Sequence, residues 1–258
     1  LEKNHRGKDM TKTVLFVDKR VGFEICEYLF SIDEDIARIY VRNSGEDSKK
    51  IEKHFKNSTD IFVSDDLKDR NHIQELKQIQ PDFMVTVYWP YLLKPEIFNS
   101  SKNGCINFHP ALLPHNRGWY PHVHNILNNS EAGVTLHFID ESADTGPIVA
   151  QKKINVDPSD TAFTLYTKLQ DEMIQIFKES WGKIKRKEIV PIIQDERESS
   201  FHNKSDIIDH IDLDKKYSGK ELINILRART FGSKGFAYYK VGNKKIFLNL
   251  RLNYDGNF

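Results

Sequence analysis

Apolar residues fall in short runs separated by amphipathic stretches, and that alternation sets the fold class. Residues 13–17, Thr-Val-Leu-Phe-Val, are almost continuously apolar, as in a strand covered on both faces. From Gly22 to Phe30 the apolar positions shift to helical spacing at Phe23, Cys26, Leu29 and Phe30. Residues 36–41 read as a second strand and 60–63 as a weaker one. Residues 71–79 form a helix with Ile73, Leu76 and Ile79 on one face, stopped by Pro81. Residues 82–87 and 104–108 are further buried strands. Strands alternating with helices predict an α/β fold, a Rossmann-like and mostly parallel sheet with helices on both faces.

The second half continues the alternation and then changes style. Residues 119–128 read as a helix, 133–139 and 146–154 as strands, and 160–183 as a long capped helix. Its stripe of Phe163, Leu165, Leu169, Met173, Ile176, Phe177 and Trp181 reads as core. Residues 196–210 are polar and read as a loop, followed by a short amphipathic helix at 218–227. Residues 235–241 and 245–251 then flank Gly242-Asn243, a β-hairpin pattern. The organisation expected is a tag or disordered arm at 1–9, a catalytic domain at 10–187 and a C-terminal extension at 188–258. The hairpin strand with Ile246, Phe247, Leu248 and Leu250 is too small to bury itself, so a homodimer built on it is expected.

Composition narrows the class. The chain has 258 residues, 39% hydrophobic and 29% charged, with a formal net charge of +1. A protein resting on nucleic acid carries a basic excess, so such a partner is not expected. No apolar run approaches the ~20 residues of a membrane span, and no membrane partner is expected. Cys26 and Cys105 sit in apolar runs, which fits a reducing, cytoplasmic setting better than a disulfide scaffold. No Gly-x-Gly-x-x-Gly follows the first strand, so no NAD is expected. His122-x-His124 lies at a spacing that does not converge on a helix, and no metal is expected.

The chemistry concentrates in two blocks. The first is Asn107-Phe-His109-Pro-Ala-Leu-Leu-Pro114, followed by Asn116-Arg-Gly118. The second runs from Gly133 through His137 to Asp144-Thr-Gly-Pro147. Period-two spacing at a strand end turns Asn107 and His109 the same way, toward the sheet edge where α/β proteins bind ligands. Acyl transfer to an amine needs a proton acceptor, which His109 supplies. It needs a donor for the tetrahedral oxyanion, either the Asn107 amide or His109. It needs a carboxylate to orient and balance the imidazole, which is Asp144.

These blocks resemble the folate-dependent formyltransferase superfamily, which carries Asn-x-His-Pro-Ser-Leu-Leu-Pro and a downstream Asp-x-Gly-Pro. The resemblance spans residues 12–187, with Ala111 where the superfamily usually has Ser. It implies Asn107, His109 and Asp144 as the catalytic trio and N10-formyltetrahydrofolate as the formyl donor. It also implies a pterin site at Tyr88, Trp89 and Leu92, joined by Ile139, Asp140 and Ala143. The stretch from Asn116 to His124 and the tail from Leu226 to Phe231 resemble the sugar N-formyltransferase branch, which acts on nucleotide-linked amino sugars such as dTDP-4-amino-4,6-dideoxyglucose. The acceptor contacts then expected are Asn116, Arg117, Trp119, Tyr120, Arg227, Arg229 and Phe231. Arg227 and Arg229 suit a diphosphate, and the aromatic faces suit a base. Two rival readings keep the fold: a formyltetrahydrofolate hydrolase, with water replacing the amine, and a non-catalytic nucleotide-sugar binding protein.

Overall fold

The computed structural model describes residues 11–254; the arm expected at 1–9 lies outside them. The elements are β1 Lys12–Val17, α1 Lys19–Ser31, β2 Asp35–Val41, α2 Glu46–Phe55, β3 Asp60–Val63, α3 Arg70–Ile79, β4 Phe83–Val87, α4 Pro95–Phe98 and β5 Cys105–His109. They continue with β6 Arg117–Gly118, α5 Pro121–Asn128, β7 Ala132–Phe138, β8 Ile148–Ile154, α6 Ala162–Lys185 and β9 Phe201–His202. The tail holds α7 Gly219–Ala228, β10 Thr230–Phe231, β11 Lys234–Gly235, β12 Tyr238–Val241 and β13 Lys244–Phe247.

The chain divides into two compact units that interleave along the sequence. Among the described residues, the first comprises 11–108, 136–149 and 177–192, and the second 109–135, 150–176 and 193–254. The first unit holds β1 to β4 and nearly all of β5, which follow one another in the sheet order β3-β2-β1-β4-β5. β2 pairs with β1 and β3, and β4 with β1 and β5, all in parallel. Val14 to Val17 and Phe83 to Val87 are buried throughout, as the continuous apolar runs require of central strands covered on both faces. Phe16 stacks on Tyr40 with ring centroids 4.8 Å apart, and Phe108, Phe177 and Trp181 continue the aromatic packing.

In the second unit α7 is capped by the Ser218 hydroxyl, which accepts from the Glu221 N–H at 3.1 Å. Two short ribbons follow, β10–β11 and β12–β13, both antiparallel.

Several elements differ from the sequence pattern for local reasons. The helix expected from residue 119 starts at Pro121, because Tyr120 takes a left-handed backbone, φ 54, that a helix cannot hold. The strand expected from residue 146 starts at Ile148, since Gly146 and Pro147 belong to the preceding turn. Residues 201–202, expected in a loop, form β9 against β6. Phe163 leaves the core stripe of α6, 43% exposed, and meets Phe231 edge-on at 5.1 Å. The second hairpin strand ends at Phe247 instead of residue 251. α2 and β10–β11 were not anticipated: α2 carries few apolar positions, Ile51 and Phe55, and the ribbon strands are two residues each.

Candidate active site

The end of β4 and β5 sets the chemistry of the first unit. Thr86 lies opposite Asn107 in the β4–β5 register, and its hydroxyl donates to Asn107 Oδ1 at 2.6 Å. Asn107 Nδ2 is then turned toward His137 Nε2 at 3.1 Å and Asp144 Oδ1 at 3.4 Å. Charge decides that orientation, because the reversed amide would set its oxygen against a carboxylate. His137 Nδ1 donates to the Phe138 carbonyl at 2.8 Å, since a carbonyl only accepts. A neutral His137 therefore offers its Nε2 lone pair to the Asn107 amide. Asp144 Oδ1 stands 3.6 Å from the same nitrogen, placed to balance a proton there.

The turn that delivers Asp144 is tightly built. Asp144 takes φ 59, a left-handed backbone that aspartate adopts more readily than most non-glycine residues. A Cβ at Gly146 would lie 1.8 Å from the Phe138 carbonyl oxygen, so only glycine lets the turn close on the end of β7. The Phe138 N–H donates to Pro147 O at 2.9 Å. The Asp140 carboxylate, expected at the pterin, braces this loop by accepting from the Ser142 N–H at 3.2 Å and the Thr145 hydroxyl at 2.6 Å.

Of the other expected donor-site residues, Trp89 and Ile139 pack half-buried against the core cluster of Val14, Phe16, Tyr40 and Met84. Trp89 Nε1 is buried with no hydrogen-bond partner among the described residues. Tyr88 turns the chain out of β4 with φ 53. A cavity of about 400 Å³ in the first unit is lined by Trp89, Tyr91, Leu92, Leu93, Lys68 and Lys94, among others. Tyr88, Ile139, Asp140, Ala143 and the Asn107–His137–Asp144 cluster do not line it.

The second unit holds His109 and the expected acceptor residues. His109 is 5% exposed, and its Nε2 donates to the Asn116 carbonyl at 3.0 Å. That contact places a ring hydrogen on Nε2. The chain after His109 is pinned by Thr135, whose hydroxyl donates to Ala111 O at 2.6 Å, and by Gln151 Nε2, which donates to Leu113 O at 2.8 Å. Ala111 is fully buried, where its methyl needs no partner.

The acceptor residues divide into committed and exposed groups. The Arg117 guanidinium meets both Glu196 oxygens at 2.8 and 2.7 Å and Gln194 Oε1 at 2.8 Å, and holds Glu196 below the usual carboxylate range. Arg227 donates to the carbonyls of Asp160 and Asp157, each at 2.8 Å, and to Asn224 Oδ1 at 3.0 Å. Arg229 donates to Asp209 at 2.5 Å and lies over the Phe236 ring. These bonds occupy side chains expected to meet a diphosphate. Phe231 packs among Phe163 and Tyr166. Trp119 and Tyr120 are 40% and 41% exposed, and Lys204 Nζ sits 3.7 Å from the Trp119 ring centroid.

Sequence reasoning passed over His137 and Lys204. The signal for His137 was its position: it lies one residue before the end of a buried strand ahead of Asp144. No metal-holding cluster of histidine, cysteine or acidic residues occurs among the described residues.

Residues 34–180 match the family model described as formyl transferase, and residues 205–254 match one described as N-formyltransferase dimerization C-terminal domain. A methionyl-tRNA formyltransferase from Thermodesulfovibrio yellowstonii is 39% identical over 126 residues, 48% of this chain and 41% of that protein. The chain thus matches about two fifths of that relative's length, 41%. The crystal structure of a 4-N formyltransferase from Francisella tularensis is similar with a TM-score of 0.82 at 27% identity, over 95% of this chain and 99% of that one. The formyltransferase PseJ from Anoxybacillus kamchatkensis was solved in complex with UDP-4,6-dideoxy-4-formamido-L-AltNAc and tetrahydrofolate. It is similar with a TM-score of 0.54 at 25% identity, over 76% of this chain and 87% of that one.

Proposed function

The chain belongs to the formyl transferase family, and from that premise we propose that it transfers a formyl group from N10-formyltetrahydrofolate to the amine of a nucleotide-linked amino sugar. The observation that carries the reading is the Asn107 amide, locked by Thr86 and aimed by His137 and Asp144. The amine nitrogen attacks the formyl carbon, and the carbonyl oxygen becomes an oxyanion. Asn107 Nδ2 donates to that oxyanion. By the resemblance of its Asn-x-His motif, His109 is the group that takes the amine proton. Collapse breaks the bond to N10, which gains a proton, and leaves tetrahydrofolate and a formamido sugar. His137 and Asp144 hold the amide in place and supply a site for the proton in transit.

The donor is supported by the half-buried Trp89 and Ile139 beside the β4 exit, an apolar setting for a pterin. The acceptor is supported by the relatives. The Francisella tularensis protein is a 4-N formyltransferase, and the complex with PseJ holds a 4-formamido sugar linked to UDP. A 4-amino sugar nucleotide such as dTDP-4-amino-4,6-dideoxyglucose fits this reading. Trp119, Tyr120 and Lys204 offer its base an aromatic face and its phosphates a cation. The match of residues 205–254 to a dimerization domain supports a homodimer through the tail.

The test supplies N10-formyltetrahydrofolate with dTDP- and UDP-linked 3-amino and 4-amino sugars and follows tetrahydrofolate release together with product mass. A formamido sugar formed only when the 4-amine is present is the expected outcome. Release of tetrahydrofolate without any amine would establish the hydrolase reading instead. Transfer to charged initiator tRNA alone would exclude a sugar acceptor.

A further inference from the structure

The segment between the two family matches, residues 181–204, is assigned nothing by either, yet part of it is docked tightly on the loop that follows His109. β9 pairs in parallel with β6. The Arg117 N–H donates to Ser200 O and the Trp119 N–H to His202 O, both at 2.9 Å. Gly118 takes φ 85, and a Cβ there would lie 2.4 Å from the His202 carbonyl oxygen, so the two strands close only over glycine. The bidentate Arg117–Glu196 pair fastens the same loop.

At the centre of this clasp is Asn116, 5% exposed and held at φ 57. Its N–H donates to the Ser200 hydroxyl at 2.8 Å. Its Oδ1 accepts from His202 Nε2 at 3.0 Å. Its carbonyl accepts from His109 Nε2 at 3.0 Å. The His202 ring is fixed in turn by stacking on His124, with centroids 3.5 Å apart and planes within 5°. Asparagine takes the left-handed backbone more readily than most non-glycine residues. Both its side chain and its N–H are held here by residues 200 and 202.

We propose that His202 is a positioning residue for His109, acting through Asn116. His202 Nε2–H fixes the Asn116 amide, which fixes the Asn116 carbonyl. That carbonyl holds the His109 ring in place and keeps its hydrogen on Nε2. The inference rests on the reading of His109 as the base.

The substitutions separate the parts. His202→Phe keeps a flat ring on His124 and loses the donor, whereas His202→Gln keeps a donor for Asn116 Oδ1. Asn116→Gly keeps the left-handed backbone and loses the amide. His202→Phe should lower kcat about 10–100-fold, the range for a misplaced reacting group, with KM for both substrates changed less than about twofold. His202→Gln should recover most of the loss. Asn116→Gly should resemble His202→Phe, and the double variant should be no worse than Asn116→Gly alone. A wild-type kcat in His202→Phe, or losses that multiply in the double variant, would overturn the proposal.

His109→Ala serves as the control for the underlying reading. If that variant stays active, His109 is not the base, whatever His202 does. Nitrogen-15 spectra of the histidines in the ligand-free protein decide the positioning without any assay. The wild type and His202→Gln should show His109 with hydrogen on Nε2, and His202→Phe a mixture with Nδ1. An unchanged His109 spectrum in a folded His202→Phe protein refutes the relay. Should His202→Phe not fold, Asn116→Gly is read the same way.

Discussion

One amide, that of Asn107, ties a hydroxyl, an imidazole and a carboxylate into a single arrangement. Each neighbour makes a separable contribution. Thr86→Val keeps the volume and removes the hydroxyl that fixes the amide. A neutral hydrogen bond is worth about 0.5–1.5 kcal/mol, so kcat should fall about 2–12-fold, read by steady-state kinetics beside an unchanged melting temperature. Asp144→Asn removes the charge that sets the amide's direction and balances His137. A charge-assisted bond is worth about 1.5–3 kcal/mol, and the proton in transit loses its counterion as well. A kcat lower by on the order of 10²–10³ is expected, and single-turnover measurements would show it in the chemical step. His109→Ala should cost on the order of 10²–10⁴ in kcat. Activity within a few-fold of wild type would remove it from the mechanism.

At the scale of elements, α5 stands out because His122 and His124 are both buried although they lie two residues apart. The helix is covered around most of its circumference. Burial pushes His122 from the ordinary 6.5 down to about 3, helped by Arg229 and His124, and His124 down to about 4, helped by His202. Both are bases whose folded value is depressed. Above the unfolded value near 6.5 neither state binds the proton and the fold is at full stability. As pH falls from there toward 4, the unfolded chain gains protons that the fold refuses. Stability should drop by at most about 1.4 kcal/mol per pH unit for each imidazole. Urea midpoints at pH 7.5 and pH 5 measure this, and replacing both histidines by phenylalanine should flatten the slope. In α7, Arg227 ties the helix to the chain ahead of α6 through two carbonyls. Arg227→Ala should therefore lower the melting temperature by several degrees, at about 2–4 °C per kcal/mol, and change KM for the acceptor little.

The legible part of the sequence was its periodicity. Continuous apolar runs marked β1, β4 and most of β5. What periodicity does not encode is who meets whom. Arg117, Arg227 and Arg229 read as phosphate ligands because charge is visible in a sequence, while Glu196, the Asp157 and Asp160 carbonyls and Asp209 as their partners are not. His137 was hidden among several histidines, since only the third dimension sets it beside Asp144 and Asn107. β9 was hidden because a two-residue strand is recognised by its partner β6 and not by its own pattern.

The molecule as a whole carries a net charge of only +1, so an anionic substrate must be held by placed cations and not by a broad field. Its tail carries a hairpin whose Val241 and Phe247 are 58% and 59% exposed. If the tail is the dimer interface, Val241→Lys with Phe247→Glu should yield a monomer, and light scattering at micromolar concentration against a wild-type dimer reports it. A wild-type monomer there would reject the interface.

The clasp of residues 194–202 on the loop after His109 also bears on inheritance. A tail exchanged between relatives at residues 192–193 would look like a clean modular swap on a linear map. Yet Gln194, Glu196, Ser200 and His202 would travel with the new tail while Asn116, Arg117 and Gly118 stayed behind. Recombination at that point breaks a matched set, so lineages can trade such tails only when the short loop is traded with them.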